Sequence, residues 1–314
     1  MSLDFETPIV ELVRRIEELK KQASGPDAGA GQEVAALENE LVELRKKIFS
    51  DLTPWQEVQL ARHPERPLVT DYIRLVCSEF MELHGDRCFG DDRSLIGGFA
   101  TIEKHRVMLL GFNKGRSVEE KVANNFGMAH PEGYRKAQRL TKLAEKYTLP
   151  VVCLVDTPAA YPGAAAEERG QAEAIGRSIT EMTTLETPII AVITGEGGSG
   201  GALGIAVADV VMMLSNAIYS VIPPEGCAAI LWKDSNKAPE AAEALKITAK
   251  SLLELRVIDQ IIEEPLGGAH VDHEATAAAL RAALIRHLAA LKRVSPRKLA
   301  ARRFDKLAAM GRYK

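Results

Sequence analysis

The stretch ITGEGGSGGALG, Ile193 to Gly204, constrains this chain more than any other. It follows the apolar run Pro188 to Val192 and leads into a second one, Ala202 to Val211. Five glycines in seven residues, 195 to 201, read as a loop between a strand and a helix. Glycine is placed where backbone must turn sharply or where something approaches it closely. Two unrelated motifs share these letters, and a third reading needs no side chain.

Gly195-x-Gly197-x-x-Gly200 spells a dinucleotide loop. That loop needs an acid about 20 residues on, at the end of the next strand, to hold a ribose. The next strand region, VVMMLSNAIYSVI (210–222), carries none, and several strands already precede the loop. Gly197-x-Ser199-x-Gly201 spells a hydrolase nucleophile elbow. It requires an acid and then a histidine downstream. Asp259 and His270 or His273 stand in that order, yet each reads equally well as a surface residue. In the third reading, backbone N–H groups at a helix N-terminus, with the positive end of the helix dipole, hold an anion or a developing oxyanion. A tight strand–helix turn kept small for packing is the plain structural alternative.

With 314 residues, 46% hydrophobic and 26% charged, the chain has ample material for a soluble globular core. Its formal net charge of -3 gives no sign of nucleic-acid binding. No apolar run approaches about 18 residues, so no membrane partner is expected. MSLDFETPIVELVRR lacks the basic and apolar regions of a secretion signal. Cys77, Cys88, Cys153 and Cys227 are scattered and form no C-x-x-C pair. His84-x-x-x-Cys88 offers two ligating atoms, but an incidental pair near a loop is the simpler reading, and no metal is expected. Reduced cysteines and the absent signal point to the cytoplasm. No Gly-Lys-Ser/Thr phosphate loop is present, so no nucleotide site is expected on this chain.

Ile9, Val13, Ile16 and Leu19 keep helical spacing, as do Leu37, Leu41, Leu44 and Ile48. With the linker SGPDAGAGQ between them, residues 1–60 read as a helical hairpin and linker. From about Leu68 strand and helix signals alternate. A hairpin is expected over 96–102 and 107–112, turning at 103–106. Helices are expected over 131–148 and, unbroken, 163–185. Buried strands are expected over 150–157 and 188–194, then 210–215 and 217–222. The whole is an α/β core. Helices over 273–292 and 296–311 close the chain. The last carries Arg297, Lys298, Arg302, Arg303 and Lys306, read first as a solvated basic face and second as a docking surface for an acidic partner.

GEGGSGGALG occurs with DTPAAYPGAAAEERGQ (156–171), NNFGMAHPEGYRKAQRL (124–140), PPEGCAAILW (223–232), EPLGGAH (264–270) and ARHPERP (61–67). Taken in their order along the chain, and essentially end to end, they closely resemble the carboxyltransferase alpha subunits of bacterial-type acetyl-CoA carboxylases. The resemblance implies a ClpP/crotonase-type spiral of strand–strand–helix units over 61–295, between the N-terminal hairpin and the basic C-terminal helix, 296–314. It implies transfer of a carboxyl group from carboxybiotin to acetyl-CoA, giving malonyl-CoA for fatty-acid synthesis. Biotin would arrive on a separate biotin carboxyl carrier protein, loaded by biotin carboxylase. A beta subunit, in an assembly of two alpha and two beta chains, would complete the active site. By this resemblance Gly200 and Gly201 are the donor pair for the biotin ureido oxygen, and Gly197 and Gly198 shape the loop. A Cβ at Gly201 would then crowd the ligand.

Asp156 and Thr157, at the end of a strand, either line the biotin pocket or start a turn. Arg116, in Lys114-Gly115-Arg116, contacts a carboxylate or phosphate, or sits in a solvated loop. Glu167, Glu168 and Arg169 face a partner or cap a helix. Three departures from the family pattern stand out: Ala159 in place of glycine, with strain if its φ is positive; Pro223 in place of serine; and Ala129-His130 before Pro131. Two other activities are alternatives. A stand-alone crotonase-type hydratase or isomerase would use Glu196 and Glu225, and a serine hydrolase would use Ser199.

Overall fold

The structure, a computed structural model, describes residues 3–22 and 28–311. Residues 24–27 of the expected linker lie outside the described residues. α1 (Thr7–Gln22) and α2 (Ala28–Phe49) pack on each other as the expected hairpin, burying Ile9, Ile16 and Leu37. Phe5 meets Phe49 edge to face at 6.2 Å beside them.

α3 (Pro54–Ala61) starts at a capping box, in which Thr53 and Gln56 each bond the other's backbone N–H. α4 (Val69–Val76) leads to β1 (Glu79–Glu82), β2 (Leu95–Ile102) and β3 (His105–Phe112), an antiparallel meander. The turn from β2 to β3 is only Glu103-Lys104, so His105 and Arg106 belong to the strand. After α5 (Val118–Ala123) comes α6 (Pro131–Lys146). Pro131 opens it, and the His130 N–H before it donates to Asp92 at 2.7 Å.

From β3 onward the strands run parallel: β4 (Val151–Thr157), β5 (Ile189–Gly198), β6 (Val210–Leu214) and β8 (Gln260–Ile262), with β7 (Ile218–Ser220) beside the end of β5. All of β4 and β5 is buried, without alternation, as a parallel strand covered on both faces requires.

The helix expected over 163–185 is two helices, α7 (Ala164–Glu168) and α8 (Gln171–Thr184). Gly170 lies between them with φ 82 and ψ 51, a left-handed conformation that ends one helical axis and starts another. Arg169, at this break, binds Glu132 of α6 at 2.7 Å. α9 (Ser199–Ala206), α10 (Pro224–Trp232), α11 (Ala238–Leu245), α12 (Ala249–Glu254), α13 (His273–Leu291) and α14 (Pro296–Ala309) complete the chain.

The solvated basic face expected on α14 is corrected at two positions. Arg303 is buried, pairs with Asp209 at 2.8 Å, and donates to the carbonyls of Met182, Leu185 and Thr187. It satisfies the open carbonyls at the end of α8, which a helix C-terminus leaves without partners. Lys306 pairs with Asp259.

Candidate active site

The strands β3, β4 and β5 end at the same edge of the sheet, the carboxyl edge where open α/β folds bind ligands. β4 and β5 keep register from Val151 to Val155, shift, and resume with Thr157 opposite Gly197. The shift centres on Asp156. Its carboxylate accepts the Glu196 N–H at 2.8 Å and the Lys114 ammonium at 2.6 Å.

None of the five loop glycines has a positive φ; the left-handed position is Ser199, at φ 49. The glycines are therefore there for close approach. A methyl on Gly195 would lie 2.5 Å from the Asp156 carboxylate, and one on Gly197 would lie 2.8 Å from the Tyr219 ring. At Gly198 a methyl would overlap the Pro158 carbonyl. At Gly201 it would overlap the Ala159–Ala160 peptide, so the expectation that it would crowd a ligand is corrected: it meets the chain's own backbone. Gly200 differs, since its nearest neighbour would be Ile175 at 3.7 Å.

α9 begins here without a side-chain cap. The first turn of a helix leaves its N–H groups without helical partners. Those of Ser199, Gly200 and Gly201 therefore stand at the carboxyl edge, at the positive end of the helix dipole. The other side of the helix is held fast. Tyr134 donates to the Gly201 carbonyl at 3.2 Å, and Ser178 to that of Gly204 at 2.6 Å.

A charged network supports the loop from below. Arg62 bridges Glu196 at 2.7 Å and Glu225 at 2.5 Å, and Lys114 reaches Glu196 at 3.6 Å. Burial alone would raise the Glu196 pKa, but Lys114 and Arg62 hold it below the ordinary carboxylate value. Burial opposes the charge on Lys114 too, yet Asp156 and Glu196 keep its pKa raised. Behind them the buried Arg66 pairs with Glu264 and donates to the Thr194 carbonyl at 2.7 Å, pinning β5 just before the loop. A cavity of about 310 Å³ lies over this network, lined among others by Lys114, Phe126, Asp156, Pro158 and Glu196.

Of the residues singled out in the sequence, Gly197, Gly198, Gly200, Gly201, Asp156 and Thr157 come together. Thr157 donates to the Ala159 carbonyl at 2.7 Å and so shapes the turn after β4. Arg116 stands apart: it pairs with Asp71 of α4 and, at 3.8 Å, with Glu65. Its neighbour Lys114 takes the place at the site, and Arg62 was not foreseen. Lys114 was legible as the cation just beyond a strand's carboxyl end. Arg62 was not, because it meets Glu196 across 134 residues.

The three departures fit without strain. Ala159 has no positive φ. Pro223 precedes α10 with φ -59, and His130 stacks on Tyr161 at 4.2 Å. The other two activities lose their chemistry. Glu196 and Glu225 are both engaged by Arg62. Among the described residues no histidine bonds Ser199: His270 faces Glu6, and His273 bonds the Glu65 carbonyl. Nor is any described helix long and apolar enough to cross a membrane.

Solved structures share this fold. Transcarboxylase 12S, crystallised with methylmalonyl-coenzyme A, superposes with a TM-score of 0.55 at 20% identity, over 68% of this chain and 41% of that one. The beta subunit of geranyl-CoA carboxylase from P. aeruginosa gives 0.56 at 17% identity, over 80% and 46%. A Pseudomonas malonate decarboxylase heterotetramer with coenzyme A gives 0.57 at 16% identity, over 70% and 89%. The expected crotonase-type fold is thus present. Among curated relatives, acetyl-coenzyme A carboxylase carboxyl transferase subunit alpha of Geobacter metallireducens is 54% identical over 99% of this chain and 98% of its own length. The subunit alpha 1 protein of Burkholderia thailandensis is also 54% identical, over 99% and 97%. The family described as acetyl co-enzyme A carboxylase carboxyltransferase-like matches residues 2–311. The chain belongs to that family, as a carboxyltransferase alpha subunit.

Proposed function

We propose that this chain, joined to a beta-type partner, transfers a carboxyl group from carboxybiotin to acetyl-CoA, and that its own share of the site is the first turn of α9. Carboxybiotin, borne on a separate carrier protein, supplies the carboxyl group when bound. The residues fit such a group. The first-turn N–H groups have no side-chain cap among the described residues, and a Cβ on Gly200 would make only ordinary contact, with Ile175 at 3.7 Å. The N–H groups of Gly200 and Gly201 donate to the ureido oxygen as negative charge gathers there. Donors preset in a site shielded from water are each worth about 3 kcal/mol in such a transition state. Gly197 and Gly198 let β5 run close under Tyr219 and Pro158, which fixes where α9 begins. Lys114, Asp156, Glu196 and Arg62 hold that geometry from beneath.

The partner supplies the acyl-CoA half of the site, in an assembly of two alpha and two beta chains. All four cysteines are free thiols, in keeping with a reducing cytoplasm. The observation that carries the proposal is the first turn of α9, which has no side-chain cap among the described residues and holds a Gly200 not crowded by backbone. Ser199→Ala tests it in the assembled enzyme. A backbone mechanism predicts a kcat within about tenfold of wild type, against losses of about a million-fold that follow removal of a serine nucleophile. A loss of several thousand-fold would overturn it in favour of a serine nucleophile.

A further inference from the structure

Two of the sequence motifs, ARHPERP and EPLGGAH, meet away from the glycine loop. His63 and His270 stack there, with ring centroids 3.9 Å apart. Glu6, just before α1, joins them, its carboxylate 3.4 Å from His270 Nε2. One ligating atom from each of the three residues falls within 4.8 Å of the others. Glu6 and His63 are buried, and the Nδ1 atom of His270 is buried with no hydrogen-bond partner among the described residues.

We propose that Glu6, His63 and His270 form a binding site for one divalent transition cation of the zinc class. Two imidazoles and a carboxylate suit zinc and its neighbours, whereas magnesium and calcium favour oxygen-only sets. Bonds of about 2.0–2.2 Å put tetrahedral donors about 3.5 Å apart, so the three side chains close by about 1 Å. His63 Nδ1 accepts the Glu65 N–H at 3.2 Å, a long bond that the ring gives up to the cation. Water from the adjoining cavity of about 370 Å³, which Val13, Arg45 and Phe49 also line, takes the fourth position. The cation ties residue 6 to residues 63 and 270. It thereby fastens the α1–α2 hairpin to the body, from three chain segments far apart in sequence.

The test uses the full chain, stripped with chelator and dialysed. Zinc is titrated by calorimetry, cobalt is followed by visible absorption, and thermal unfolding is recorded with and without zinc. The account predicts about one equivalent of zinc bound, intense cobalt bands of four-coordinate nitrogen and oxygen ligation, and a Tm raised by zinc. His63→Gln and His270→Gln each weaken zinc binding by at least about tenfold. His84→Gln, at a histidine paired instead with Asp91, leaves it unchanged. No binding at micromolar zinc, or the weak spectrum of six-coordinate cobalt, would overturn the proposal. So would wild-type affinity in both His63→Gln and His270→Gln. If those variants do not fold, the cobalt spectrum of the wild-type chain decides alone.

Discussion

The Lys114 ammonium lies 2.6 Å from Asp156, and the same carboxylate holds the Glu196 N–H at 2.8 Å. One ion pair thus joins the ends of β3, β4 and β5 just where the glycine loop begins. Lys114→Met keeps the length of the side chain and removes the charge. It leaves Asp156 and Glu196 buried, with Arg62 alone facing Glu196. Loss of one partner of a buried pair costs about 3–5 kcal/mol. Urea unfolding at pH 7 is expected to show a loss near the lower end of that range.

The pH dependence of this loss has a definite sign. Glu196 has a folded pKa below its ordinary value of 4.5. Its stabilising contribution is therefore complete above pH 4.5 and fades as pH falls through the lower folded value. The gap between wild type and Lys114→Met is expected to narrow at acid pH. A gap that widens there would contradict the pairing.

Gly200 and Gly201 respond oppositely to the same substitution. Gly200→Ala meets nothing nearer than Ile175 at 3.7 Å, so the fold is retained. Alanine also gains up to about 1 kcal/mol of helix propensity. The added methyl narrows the space beside the donor, and kcat falls at least about tenfold for a misplaced reacting group. Gly201→Ala overlaps the Ala159–Ala160 peptide and is expected to lower Tm sharply. Parallel Tm and kcat measurements on the two variants separate these effects.

Much of the site was legible in the sequence because it is a property of backbone. A glycine cluster between two apolar runs already says that main chain comes close to something. What it comes close to was not legible: Pro158, Ala159 and Tyr219 are brought there by strand register, not by spacing. The break at Gly170 was hidden because Glu167 to Gln171 keep helical composition on both sides of it. Arg303 looked solvated because nothing local marks a cation whose partners lie 94 and 121 residues away. Glu6, His63 and His270 show no ligand spacing at all.

Arg303 is a planar, multiply bonded cation, and lysine cannot reproduce that fork. Arg303→Lys is expected to lose most of the contacts to Met182, Leu185 and Thr187. Arg303→Met additionally leaves Asp209 buried without its partner, at a cost of about 3–5 kcal/mol. Denaturant midpoints are expected to fall in the order wild type, lysine, methionine.

His105 is buried, with neither ring nitrogen hydrogen-bonded among the described residues. Burial, then Lys292 and Lys104, push its pKa below 6.5. The unfolded chain therefore binds a proton here more readily than the folded one. This histidine's contribution is complete above pH 6.5 and is lost as pH falls toward its lower folded value. His105→Leu is expected to flatten the stability profile between pH 7.5 and 5.5, at about the same stability at the upper end. An unchanged slope would show that the ring is not held neutral.

The most direct test of the shared site is malonyl-CoA-dependent carboxylation of a free biotin derivative. It is run with this chain alone, with a beta-type partner alone, and with both. The account predicts turnover only in the mixture, since this chain provides the donors of α9 and the partner the acyl-CoA half. Turnover by this chain alone would contradict it, because one chain would then hold both substrates.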